Sequence, residues 1–227
     1  MPVLAYILTA LAAYLLGSIP FGYLMAKAKG IDIRSVGSGN IGATNAMRVL
    51  GKPAGIAVLL LDAAKGFAAV AWLTPMIFNQ FDIWLHHHFS GSSDYFQYQS
   101  VELQTRFFVL AGVSAVLGHN YTCWLKFKGG KGIATTAGVY LALAPWALLI
   151  ALVVFILALL VSRIVSVASM SAAVALPVAV WVMPPHNYFL GLVTTALGAL
   201  AIYKHKANLK RLLAGTENRL GQKKETK

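Results

Sequence analysis

The sequence predicts an all-α integral membrane protein with seven transmembrane helices, its N-terminus outside and its C-terminus inside. Three observations carry this: an apolar, charge-poor composition, apolar runs of crossing length, and basic residues gathered in alternate loops. Of 227 residues, 58% are hydrophobic and 11% charged, against about 25% charged in soluble domains. So short a chain cannot hide that much apolar surface in its own core, whereas a bilayer serves as solvent for the outside of the protein. The net charge of +12, from 19 Lys and Arg against 7 Asp and Glu, suits nucleic acid, anionic lipid or an anionic substrate, and placement decides among them. Cys123 is the single cysteine, so no disulfide forms within the chain and no Cys-based metal site is suggested.

A span needs about 20 apolar residues. Residues 2–26, 54–78, 107–125, 164–183 and 188–203 each qualify, the last being short but flanked by Tyr188 and Tyr203, which suit the headgroup region. The first run has no basic segment before it and is expected to be retained rather than cleaved as a signal peptide. Residues 133–162 are too long for one ordinary span, with Pro145 and Trp146 near the middle. They form one tilted helix or two short ones meeting at Ala144-Pro145. Charge selects two. The loop 27–52 holds Lys27, Lys29, Arg34, Arg48 and Lys52 and is expected inside. The loop 79–105 ends before Arg106, holds Asp82, Asp94 and Glu102, and is expected outside. The loop with Lys126, Lys128 and Lys131 is inside again, as is the basic tail 205–227. Two crossings within 133–162 place all Lys and Arg inside except Lys65 and Arg106. The whole chain, 1–227, is thereby a single transmembrane domain. His86, His87 and His88 in the outer loop are adjacent and do not share a face, so they are expected to be surface residues and not metal ligands.

Three inner segments stand apart from the apolar background. In the first, residues 37–48, Gly37, Gly39 and Gly42 permit close backbone approach, and successive N–H groups can make an anion-binding concavity. Ser38, Asn40, Thr44 and Asn45 add neutral donors, and Arg48 a planar charged fork. The plain alternative is a flexible interhelical loop, which rarely concentrates two Asn, a Thr and an Arg so tightly. The second contains Gly118-His119-Asn120 and then Gly129-Gly130-Lys131-Gly132 before Ile133 and Thr135. Backbone N–H groups at a helix start face an anion and Lys131 supplies a point charge. The spacing is not that of a nucleotide P-loop and no strand precedes it. Lys126 and Lys128 also fit a simple basic inner loop; Lys131, framed by glycines, fits it poorly. The third runs from His205 to Glu217. His205 and Asn208, three apart, share a face of a helix continuing from the last span. Lys210 and Arg211 suit a headgroup-facing patch. Asp62 and Lys65 lie within the second span, where charge is costly, and are expected to pair with each other or face the bundle interior.

Together these segments resemble the bacterial acyl-phosphate:glycerol-3-phosphate acyltransferase family, known as PlsY. Residues 37–48, 129–135 and 205–217 fit its three cytoplasmic motifs in order, and Gly17-Ser18-Ile19-Pro20 and Asp62-Ala63-Ala64-Lys65-Gly66 fit as well. The likeness runs through nearly the whole chain; the loop 79–105 is longer than the family leads one to expect. The resemblance implies transfer of an acyl chain from acyl phosphate to the 1-hydroxyl of glycerol 3-phosphate, giving lysophosphatidic acid and phosphate. This would be the first acylation of phospholipid synthesis, in a bacterial inner membrane. It also implies catalytic roles for His205, Lys131 and Arg48. The implied substrate-binding set is Ser38, Gly39, Asn40, Thr44, Asn45, Arg48, Gly129, Gly130, Lys131, Gly132, Thr135, His205, Asn208 and Glu217. On this reading Gly129–Gly132 and Lys131 take the acyl-phosphate head; Arg48, His205 and Asn208 hold glycerol phosphate, with Ser38 between. The proton has two destinations, His205 or a substrate phosphate oxygen, and the sequence leaves both open. No cofactor or metal is expected. Expected partners are the two substrates, the lipid bilayer and, as a candidate, the soluble enzyme that makes acyl phosphate; nucleic acid is not expected. A transporter of organic phosphates is the rival class, but it should bring polar groups to the bilayer midplane. Here only Asp62 and Lys65 lie within a span.

Overall fold

The structure, a computed structural model, describes residues 2–89 and 101–221. All regular structure among the described residues is helical. The chain forms two compact units, Met1–Leu143 and Ala144–Lys227.

In the first unit, α1 (Pro2–Ser18) and α2 (Phe21–Lys27) are separated at Ile19-Pro20, because Pro20 has no N–H to continue the ladder and its ring disfavours a helical Ile19. Gly30 (φ 73°) ends α2: its N–H donates to Lys27 O and the Ile31 N–H to Ala26 O, closing a Schellman cap. The short α3 (Ala43–Leu50) follows, then α4 (Lys52–Ala68) with Pro53 in its first turn. A π-helical turn, Ala69–Leu73, joins α4 to α5 (Thr74–Phe89). Pro75 cannot donate and its ring crowds the preceding turn; Thr74 answers by directing both its N–H and its hydroxyl to Ala69 O. After α6 (Val101–Asn120), a 3₁₀ turn at Cys123–Leu125 leads through Lys126 and Phe127, both left-handed (φ 53° and 59°), to the glycine-rich loop and α7 (Ile133–Leu143).

The expected polar loop 79–105 is corrected. Helix α5 continues to Phe89 and α6 begins at Val101, so only residues 90–100 of that stretch lie outside the described residues. Phe78, Phe81 and Leu85 recur at helical spacing and bury with Ala5 and Phe107, on which Tyr6 stacks at 4.0 Å between ring centroids. This aromatic packing carries the helix through residues whose polarity reads as loop. His86, His87 and His88 are exposed at its end, with His88 Nδ1 on Trp84 O (2.8 Å). Among the described residues no group of three or more His, Cys, Asp or Glu converges as a metal set.

Helices α1 and α6 cross on small residues: Cβ atoms at Gly17 and Gly118 would overlap the Ala115 and Tyr14 carbonyls. Tyr14 donates to Tyr121 O (2.6 Å) and Thr122 to Ser18 O (2.6 Å). Helices α4 and α7 are as close, with Gly138 on Ala63 O and Gly66 on Thr135 O.

The second unit contains α8 (Pro145–Ser162), α9 (Val165–Val182), α10 (Tyr188–Lys204) and α11 (Lys206–Leu213). The break expected at Ala144-Pro145 is present. Arg163, in the left-handed region (φ 57°), caps α8 with its N–H on Leu159 O. Helix α10 begins at Asn187, whose Oδ1 accepts from Leu190 N (2.9 Å). Pro177 removes the donor that Ala173 O would meet inside α9, and Gly198 of α10 packs onto that carbonyl.

The span count is also corrected. Among the described residues, five helical stretches are long and apolar enough to cross a membrane, namely Val3–Lys27, Lys52–His88, Glu102–Leu125, Pro145–Ser162 and Val165–Val182. Ile133–Leu143 and Tyr188–Lys204 are apolar but shorter. At about 1.5 Å per residue, the 11 residues of α7 extend only about half of a hydrocarbon core about 30 Å thick. Charge parity counts a half-length helix as a whole crossing, which is why it arrives at seven. Large apolar side chains face outward along these stretches, among them Leu11, Leu60, Ile156 and Leu160.

Candidate functional site

The first segment is a built loop. Asn45, 1% exposed, accepts from the Ser38 N–H through Oδ1 (2.9 Å) and donates through Nδ2 to Val36 O (3.0 Å) and Ile33 O (3.3 Å). Both ends of its amide hold the turn around Gly37 and Gly39 (φ 67° and 70°), where side-chain-bearing residues are disfavoured. Asn40 Oδ1 accepts from Gly42 N (2.8 Å) just ahead of α3. Ser38 and Arg48 are exposed, and Thr44 and Arg48 lie one turn apart on α3. Helix α3 rests on α4 where Gly55 meets the Met47 backbone, and α2 meets the loop where Gly22 meets Ile41 O. Asp32 accepts from Arg34 through both carboxylate oxygens (2.9 and 2.7 Å), and that guanidinium holds its carboxyl down to about 2.

The second segment lies on the end of α6. Gly129 N–H donates to Asn120 O (3.2 Å) and Gly130 N–H to His119 O (3.0 Å). A Cβ at Gly130 would overlap the His119 ring, and one at Gly132 (φ 81°) would press on the Asn120 side chain. Gly129 and Gly130 thus spend their N–H groups on α6. The first-turn N–H groups of α7, beside Lys131, have no acceptor within the helix. Thr135 is fully buried against Gly66, and its hydroxyl has no hydrogen-bond partner among the described residues.

Beneath this loop lies a buried ionic cluster. Lys65 Nζ is 2.8 Å from Asp62 Oδ1 and donates to Ile19 O at 2.8 Å, a carbonyl that also accepts from the Phe21 N–H at 3.2 Å. His119 Nδ1 faces the same Asp62 oxygen at 3.5 Å. The expected Asp62–Lys65 pair is present; sequence reading placed His119 in the second segment without a role, and missed Ile19. The signal was the His-Asn dipeptide ending an apolar run nine residues before Gly129. The fold also explains the Asp62–Gly66 run: Asp62 and Lys65 pair, while Ala63 and Gly66 admit α7.

In the second unit, His205 sits at the junction of α10 and α11, which corrects the expected continuous helix. His205 and Asn208 are nevertheless both buried. His205 Nδ1 is 2.8 Å from Ala201 O. A carbonyl only accepts, so Nδ1 carries the proton in that contact and the neutral ring keeps Nε2 as its basic nitrogen. Glu217 ties the segment together, accepting from Asn208 Nδ2 (2.6 Å), Arg211 Nε (2.6 Å) and Ser166 Oγ (2.9 Å). Burial pushes its carboxyl upward, but these donors outweigh it and hold the pKa below the usual glutamate value.

Residues 7–215 match the family model described as glycerol-3-phosphate acyltransferase. The chain is 42% identical over 220 residues to a glycerol-3-phosphate acyltransferase of Desulforamulus reducens, covering 96% of each chain. It is 40% identical over 212 residues to that of Geotalea daltonii, covering 93% of this chain and 96% of the relative. The fold matches a crystal structure of PlsY (YgiH), an integral membrane glycerol 3-phosphate acyltransferase, in its glycerol 3-phosphate form. That match has a TM-score of 0.77 at 36% identity and covers 95% of this chain and 96% of the other. The motifs, the helical fold and these matches agree, and the chain belongs to the glycerol-3-phosphate acyltransferase (PlsY) family.

Proposed function

We propose that this protein transfers an acyl group from acyl phosphate to the 1-hydroxyl of sn-glycerol 3-phosphate. The products are 1-acylglycerol 3-phosphate and inorganic phosphate, in the first acylation of phospholipid synthesis. The observation that carries the reading is Lys131, set between Gly130 and Gly132 immediately before the first turn of α7. Point charge and helix N-terminus together suit the phosphate of a doubly substrate-bound, phosphate-rich reaction. In the family's PlsY structures the bound forms are named as glycerol 3-phosphate and lysophosphatidic acid, which is the pair this reaction requires.

The substrate hydroxyl attacks the acyl carbonyl carbon, the carbon–oxygen bond to phosphate breaks, and phosphate leaves with the bonding electrons. Phosphate is a good leaving group, so the protein's work is placement and charge stabilisation. Lys131 and the α7 first turn hold the acyl-phosphate head. Ser38, Gly39, Asn40, Thr44 and Arg48 form the anion-handling face of the first segment, with Asn45 shaping it. His205, with Nε2 basic, accepts the hydroxyl proton, and Asn208 and Glu217 shape its surroundings. The reaction takes place at the cytoplasmic face of the bacterial inner membrane, with the acyl tail in the bilayer. Purified protein given radiolabelled glycerol 3-phosphate with acyl phosphate, acyl-CoA or acyl carrier protein should form lysophosphatidic acid from acyl phosphate alone. Formation from acyl-CoA or acyl carrier protein at a comparable rate would sink the donor assignment. Lost activity in His205→Gln with intact glycerol 3-phosphate binding supports the base role; lost binding assigns it to the ligand.

A further inference from the structure

The proposed reaction makes no use of His119, although the fold surrounds it with unusual care. We infer that His119 is a positioning residue for the acyl-phosphate head: Asp62 orients its imidazole, and the imidazole fixes Gly130 and through it Lys131. The inference rests on the acyl-transfer reading above.

Four observations carry it. First, the ring is 5% exposed and Nδ1 faces Asp62 Oδ1 at 3.5 Å. A carboxylate only accepts, so it favours hydrogen on that nitrogen and fixes the ring's orientation. Second, Asp62 is itself fixed, because Lys65 is 2.8 Å from the same oxygen and is tethered to Ile19 O at 2.8 Å. Third, the opposite edge of the ring, at Nε2, lies against Gly130 so closely that a Cβ there would overlap it. Fourth, the Gly130 N–H donates to His119 O (3.0 Å), so one residue holds Gly130 through side chain and backbone together. Lys131 springs from the next position. A buried carboxylate–ammonium pair is a costly way merely to fill space, whereas misplacing a binding group by about 1 Å can cost about 100-fold. The glycine at 130 is the complement of the ring, and the ring takes its direction from the ion pair.

The test uses full-length protein in lipid nanodiscs, with acyl phosphate and glycerol 3-phosphate each varied at saturation of the other. His119→Ala and Asp62→Asn should each raise the KM for acyl phosphate about tenfold or more, leaving that for glycerol 3-phosphate within about twofold. Because the two residues act in one chain, the double variant should be no worse than His119→Ala alone. Asp62→Asn keeps the size of the side chain and an acceptor for Lys65, and serves alone where His119→Ala does not fold. Parallel rises in both KM values, multiplicative effects in the double variant, or failure of every variant to fold would each assign the cluster to stability alone and overturn the inference. An unmodified protein that transfers nothing from acyl phosphate refutes the acyl-transfer reading instead, and that result is visible before any variant is compared.

Discussion

Replacing Lys65 by Met tests the energetic foundation beneath the glycine-rich loop. Lys65 and Asp62 are each 3% exposed, and their charged atoms are 2.8 Å apart. Removing the ammonium leaves the carboxylate buried with His119 at 3.5 Å, and leaves Ile19 O with the Phe21 N–H at 3.2 Å in place of two donors. Breaking one side of a buried ion pair costs about 3–5 kcal/mol, and the lost hydrogen bond to Ile19 O adds about 1 kcal/mol. The paired variant Asp62→Leu/Lys65→Met orphans no charge and should cost only about 1–2 kcal/mol, for the lost Lys65–Ile19 hydrogen bond and the lost Asp62–His119 contact. The two single substitutions should therefore be strongly non-additive, with a coupling of about 3 kcal/mol or more. Equilibrium unfolding in mixed detergent micelles measures all four proteins. A single variant costing less than about 1 kcal/mol, or a double variant whose cost equals the sum of the singles, would refute the claim that the pair is balanced against burial.

Other consequences are local. Gly138→Ala places a Cβ inside the Ala63 carbonyl, so α4 and α7 must separate, and thermal unfolding should show a loss of about 1–3 kcal/mol. Asn45→Asp keeps the acceptor for Ser38 N–H but removes the donors to Ile33 O and Val36 O; it should destabilise by about 1–3 kcal/mol and raise hydrogen exchange across residues 36–40. Glu217 has a lowered folded-state pKa, so its clasp is complete above the ordinary glutamate value of 4.5 and is lost as pH falls through the folded value. Protection of the Leu220 amide, which donates to Arg163 O, should follow that loss once intrinsic exchange is corrected for; Glu217→Gln should show the weakened protection at neutral pH.

Much of the architecture was legible because lipid imposes a coarse rule: long apolar runs become helices, and proline breaks them. Ala144-Pro145 reads correctly for that reason, and Asp62 and Lys65 pair because neither tolerates burial alone. Charge counting failed where length mattered, at the 11 residues of α7, since sign alternation records sides and not the thickness a helix can span. The aromatic spacing of Phe78, Phe81 and Leu85 outweighed the polar residues between them and carried α5 onward. Within the candidate site, Gly129 and Gly130 read as anion-facing because glycine in sequence signals only close approach. It does not say whether ligand or protein approaches, and here it is His119 and Asn120. The same holds for Asn45, whose polarity points to a ligand but whose hydrogen bonds are spent within the loop. The Glu217 clasp joins residues up to 51 positions apart, a separation no local pattern reveals.

The central claim is attack at the acyl carbonyl with phosphate as leaving group, and an isotope label tests it most directly. Acyl phosphate carrying ¹⁸O in the bridging position, turned over with glycerol 3-phosphate, should give lysophosphatidic acid and inorganic phosphate in equal amounts, with the label in the phosphate. Label recovered in free fatty acid, or phosphate released without an equal amount of acyl ester, would contradict the account.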